Sequence, residues 1–221
     1  MRRLCAVHSC GQPTGGFSTL CEGHKRTLRR HGHAEQKGVT VFELEPFRQA
    51  VAARRAKNPD NPTWALLQAR WEALTALAAA TLDASAMGVP MVSHERQAAQ
   101  QLTTLRDAVP GVAVIDVALA MFAMEAQRPA RFKSDKAFGF QLCRRVRGLA
   151  EVNAGSSWSA SEGRMKRTYK DVPPRVLDCL AASLKLAFGV AGMRLAELDK
   201  KDAEGERAER QQLHDALKEM M

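Results

Sequence analysis

The sequence predicts a mostly α-helical protein, with a small N-terminal zinc-binding module over residues 1–38 followed by a helical bundle over residues 39–221. Three observations carry this. Alanine and leucine are abundant while aromatic residues make up only 5% of the chain, which favours helix because aromatic and β-branched side chains supply most strand propensity. Apolar residues recur at intervals of three and four over most of the chain. Cysteines at positions 5, 10 and 21 crowd into a segment with no apolar periodicity of its own, where a bound metal is the usual remedy for a missing core.

Residues 1–38 are rich in Gly, His and Cys and read as a loop-rich unit. The pattern becomes helical from about Phe42, and a first bundle helix is expected from near Pro46 to Lys57. Asn58-Pro59-Asp60-Asn61-Pro62 breaks it, and Asn61 followed by Pro62 has the form of an N-cap and first helical residue. Trp64, Leu67, Trp71, Leu74 and Ala78 then mark one stripe of a long helix, which Gly88-Val89-Pro90 ends. Ser93 reads as the cap of a helix from His94 to about Ala108. Residues 112–127 are nearly all apolar and suit a buried central helix, with a buried strand at Val112–Val117 as the alternative. Ser134 opens a helix whose apolar face is Phe138, Leu142, Val146 and Leu149. Residues 153–171 read as a flexible basic loop. Pro173-Pro174 starts the strongest stripe, Leu177, Leu180, Leu184, Phe188, Ala191, Leu195 and Leu198, and the charged tail beyond it reads as a solvated helix weakened by Gly205.

The cysteines and a histidine form Cys5-x4-Cys10-x10-Cys21-x2-His24. Two short-range pairs joined by a longer loop let a chain wrap a Zn2+ ion, and Cys3His is a standard tetrahedral set that leaves no open position. The ion is expected to be structural. His8, between the first two cysteines, is the rival ligand.

Formal net charge is +9, unevenly spread: +5 over residues 1–40, −2 over 41–127, +8 over 128–170 and −2 over 171–221. Two concentrated basic zones are the footprint of a polyanion partner, here nucleic acid, with duplex DNA expected. The first zone offers Lys25, Arg26, Arg29 and Arg30 just after the ligand histidine. The second offers Lys136, Arg144 and Arg147 on a helix, then Arg164, Lys166, Arg167 and Lys170 beside Tyr169 and Trp158, a basic and aromatic mixture suited to backbone contact plus stacking or groove insertion.

The segment Cys5-Ala-Val-His-Ser-Cys10-Gly-Gln-Pro, then Gly16-Phe-Ser-Thr-Leu-Cys21-Glu-Gly-His24-Lys-Arg26, then Arg29-Arg30-His31-Gly32, resembles the short zinc-binding modules of phage and mobile-element proteins, often found beside HNH homing-type nucleases. The resemblance covers about residues 4–33. It implies that Cys5, Cys10, Cys21 and His24 bind the metal, and that the Arg-rich segment after the histidine contacts DNA. Lys25 stands where the family usually carries an aromatic residue.

No catalytic pattern stands out. Beyond His33 only His94 and His214 remain, short of an HNH constellation, and there is no phosphate-binding Gly-rich loop, Gly-x-Ser-x-Gly or His-Glu-x-x-His. The sequence reading is therefore a zinc-stabilised DNA-binding regulator or accessory factor. Its alternatives are a protein-interaction adaptor that binds a host or defence protein, and a nuclease or recombinase accessory subunit; besides nucleic acid, the partner expected is a protein or a second copy of the chain. With no signal peptide, no apolar run approaching spanning length and clustered thiols, it is expected to be cytoplasmic, with no membrane partner.

Overall fold

A computed structural model describes residues 3–161 and 163–219. Among these described residues, seven α-helices and one hairpin follow in order: α1 (Glu22–His31), α2 (Val41–Lys57), α3 (Pro62–Ala86), α4 (Ser93–Ala108), α5 (Gly111–Gln127), α6 (Asp135–Arg147), β1 (Ala154–Ser159), β2 (Arg164–Tyr169) and α7 (Pro174–Glu219). The architecture is the expected one, a Cys/His module in front of a helical bundle.

Helix α5 is the axis. Its residues from Val117 to Met124 are all buried, because α2, α3, α6 and α7 pack around it. The strand alternative for Val112–Val117 gives way to helix, since an element covered on every side needs no alternation. Helix α3 begins as expected, with Asn61 Oδ1 accepting from the Thr63 amide at 2.9 Å. Ser134 caps α6 by accepting from the Ala137 amide at 3.0 Å. Along α7, Leu177, Leu180, Leu184, Phe188 and Leu195 are buried.

Four expectations need correction. Helix α2 starts at Val41 and not near Pro46, because Thr40 and Glu43 form a reciprocal capping box. Pro46 is then internal, and removes only the bond to the Phe42 carbonyl close to the helix start. Ser93 is the first residue of α4 and not its cap. Residues 153–171 are not a loop: Ala154–Ser159 pairs antiparallel with Arg164–Tyr169 in a regular hairpin. Finally, Pro174–Asp215 is long and apolar enough by length and composition to cross a membrane, with 39% of its apolar window buried inside the bundle.

The segment joining module to bundle is pinned. Gln36 and Val39 are buried. Arg131 donates to the Lys37 and Gly38 carbonyls at 3.1 and 3.0 Å and pairs with Glu43 at 2.5 Å. The Lys133 amide donates to Gln36 Oε1 at 3.0 Å. Gly32 ends α1 with φ +79°, and a Cβ there would meet the Lys136 carbonyl oxygen at 2.8 Å. The position requires glycine on both counts, and its bareness lets α1 lie against the start of α6.

Candidate functional site

Residues 3–21 fold as a knuckle. The Cys10 amide donates to the Val7 carbonyl, closing a turn, and the Cys5 amide donates to the Gln12 carbonyl at 2.9 Å. Ser9 and Gly11 take φ near +60°, which curls the chain on either side of Cys10. Cys21 is the N-cap residue of α1, and His24 lies in its first turn. The module thereby brings Cys5, Cys10, Cys21 and His24 together, their ligand atoms all within 4.8 Å of one another.

These residues fit a tetrahedral metal site. Cys10 Sγ and Cys21 Sγ are 3.8 Å apart, and His24 Nδ1 is 3.3 Å from the sulfurs of both Cys5 and Cys21. Zn–S and Zn–N bonds of about 2.3 and 2.0 Å imply edges of about 3.8 and 3.5 Å. His8 is not in the group; its Nδ1 is 2.7 Å from Ser9 Oγ. Burial pushes the Cys5 thiol up, but hydrogen bonds from the Cys21 and Val7 backbone and contacts with His24 and Cys10 outweigh it and bring it down to about 6. For Cys10, a backbone hydrogen bond at Gln12 acts downward, but burial and the neighbouring Cys21 and Cys5 leave the thiol above its ordinary value. Thiols this close resist losing successive protons, and a divalent cation removes that resistance.

Helix α1 carries the first basic zone away from this centre, alongside a cleft of about 680 Å³. Its far wall is the C-terminal half of α6, the end of β2 and the start of α7. Lys25, Arg26, Arg29 and Arg30 from one zone and Arg144, Arg147 and Lys170 from the other line it, against the acidic Glu22 and Asp171. Two basic segments more than a hundred residues apart in sequence thus share one concave surface.

The cations are not equivalent. Arg26 and Arg29 are exposed and form no ion pair among the described residues. Lys25 pairs with Glu22 at 2.6 Å. Arg30 Nε donates to Asp171 Oδ2 at 2.7 Å, a contact across the cleft. Lys170 is exposed at the cleft edge. Arg144 is half-buried over the Tyr169 ring at 4.3 Å, and burial, then neighbouring Arg145, lowers its pKa.

Arg147 corrects the sequence reading. It is 5% exposed, and donates from Nε to Gln101 Oε1 at 2.7 Å and from Nη2 to the Lys170 carbonyl at 3.1 Å. It ties α4 to the root of the hairpin and is a structural cation in the cleft floor. The reason is that α6 is covered nearly all round, so sharing a helix face with Arg144 did not leave Arg147 in solvent. Lys136 is also placed differently: it lies outside the cleft, paired with Asp178 at 3.2 Å. Lys166 is exposed on β2. The side chains of Arg164 and Arg167 lie outside the described residues.

Tyr169 is the organiser that sequence reasoning underrated. Its hydroxyl accepts from Arg145 Nη2 at 2.5 Å, and its ring lies where a Cβ on Gly148 would meet it at 2.5 Å. Arg145, nearly fully buried, therefore serves the ring and not the cleft. The Tyr169 neighbours in the sequence announced an aromatic among cations, but not that two arginines of α6 would hold it. No protein-family model, curated protein or solved structure matches this chain.

Proposed function

We propose that this protein is a zinc-stabilised DNA-binding protein, a regulator or accessory factor of the kind encoded by phages and mobile elements. Zinc is the metal that three thiolates and one imidazole at tetrahedral spacing suit best, and with four protein ligands it acts structurally. It fixes the N-terminal end of α1 and so aims Arg26 and Arg29 into the cleft. The observation that carries the reading is the meeting of both basic zones in one cleft, seven cations against two carboxylates. Such a surface concentrates positive potential where a phosphate backbone can lie. The phage or mobile-element origin rests on the resemblance of residues 4–33.

The test is zinc content by elemental analysis together with duplex-DNA affinity at several salt concentrations. One zinc per chain, with affinity that falls steeply as salt rises, supports the reading. Zinc without affinity for DNA rejects it. An adaptor role has one observation in its favour: Leu186, Val190 and Met193 form an exposed apolar stripe on α7. Tight binding of a protein that persists in high salt would favour that reading instead.

A further inference from the structure

Among the described residues, the hairpin β1–β2 is anchored to the bundle at its root. Arg147 and the Lys170 amide, which donates to the Asn153 carbonyl at 2.9 Å, anchor that root. From there each strand runs six residues, a reach of about 20 Å. A two-stranded ribbon of this size is marginal unless something covers one of its faces. Yet residues 155–158, Met165, Lys166 and Thr168 are all exposed.

Near the turn, Trp158 and Met165 are direct cross-strand partners, 63% and 60% exposed. They share a face, so together they present one apolar tip. The rest of β1 is Ala-Gly-Ser-Ser before Trp158 and Ser after it, which makes the strand slim. Residues 154–170 hold four basic residues and one acidic one. The arm is therefore thin, basic and apolar at its end. At the other end Tyr169 lines the cleft, so the arm continues the cleft surface outward.

We propose that the hairpin is a groove-inserting arm that enters duplex DNA and wedges the Trp158–Met165 pair between base steps, kinking the helix while the cleft holds the flanking phosphates. This rests on the DNA-binding reading above. Charge complementarity selects a polyanion as the occupant. A large apolar pair at the tip is superfluous for phosphate contact alone, whereas apolar wedges that unstack a base step are a recurrent way to bend DNA. A slim two-stranded ribbon also has dimensions that a groove admits.

The experiment is end-to-end energy transfer in a duplex of about 30 base pairs, labelled at both ends and saturated with full-length, zinc-loaded protein. The wild type is expected to shorten the end-to-end distance. Trp158→Ala with Met165→Ala is expected to abolish the shortening and weaken binding about tenfold, while the salt slope persists. Trp158→Phe should retain the bend. Duplex binding with no change in distance overturns the wedge and leaves the DNA-binding reading standing. So does a double variant that bends like the wild type, or a Trp158-dependent preference for single strands without bending. Absence of salt-dependent duplex binding overturns both.

Discussion

Gln141 Nε2 donates to His31 Nδ1 at 2.9 Å, joining the helix that leaves the Cys/His cluster to the interior of the bundle. The direction of this bond follows from its surroundings. The Val39 amide donates to Gln141 Oε1 at 2.8 Å, so the carboxamide nitrogen must face the histidine. His31 then accepts at Nδ1, and its proton sits on Nε2. One fully buried glutamine thus fixes the linker and the module together.

Replacing that amide should loosen both. Gln141→Leu leaves the Val39 amide without its acceptor in a buried position. We expect a loss of about 1–3 kcal/mol in chemical denaturation, with zinc content unchanged. Unchanged stability would show that the module docks by other contacts.

The same bond sets a pH dependence. Burial, then the Arg144 and Arg30 charges, lowers the His31 pKa from 6.5 to about 4, with Asp171 opposing and Arg131 adding to the effect. The folded state resists a proton that the unfolded chain accepts. The contribution is therefore complete above about pH 6.5 and is lost progressively as pH falls toward 4. Melting curves from pH 7 to pH 5 should fall more steeply for the wild type than for His31→Gln, compared at equal zinc loading. Parallel curves would remove His31 from the account.

Cations of the cleft should separate into two classes. Arg26→Gln, Arg29→Gln and Lys170→Gln together should lower the salt slope of duplex binding by about two to three units, with stability changed by about 0.5 kcal/mol per site or less. Arg147→Met should do the reverse. It removes bonds to Gln101 and the Lys170 carbonyl, and is expected to cost about 1–3 kcal/mol with little change in slope. The opposite pattern would make Arg147 a contact residue.

Cys21→Ser should release the metal and unfold residues 3–21 with the start of α1. Far-ultraviolet circular dichroism should retain most of its helical signal, because α2 to α7 carry their own apolar core. Retention of one zinc per chain would sink the ligand assignment.

Much of this was legible in the sequence because it is local. Ligand spacing closes over 20 residues, and apolar periodicity repeats within a turn or two of helix. The four clustered Cys and His positions and six of the helices follow from such patterns, as do the cap at Asn61 and the helix opening at Ser134. The Thr40–Glu43 capping box is equally local, but Pro46 is a residue type favoured in a first helical turn, so two local signals compete for the start of α2. The hairpin was hidden because Ala154–Ser159 alternates no apolar face, its one large side chain being exposed.

What the sequence by itself determined is therefore the Cys/His cluster, the helical class and the presence of two basic zones. Only the tertiary structure decided that the zones face each other, and which of their cations remain available. Arg30 meets Asp171 across 141 residues, and Arg147 finds Gln101 across 46. A charge is solvated or buried according to what packs against its helix, and those neighbours come from distant segments that no local pattern encodes.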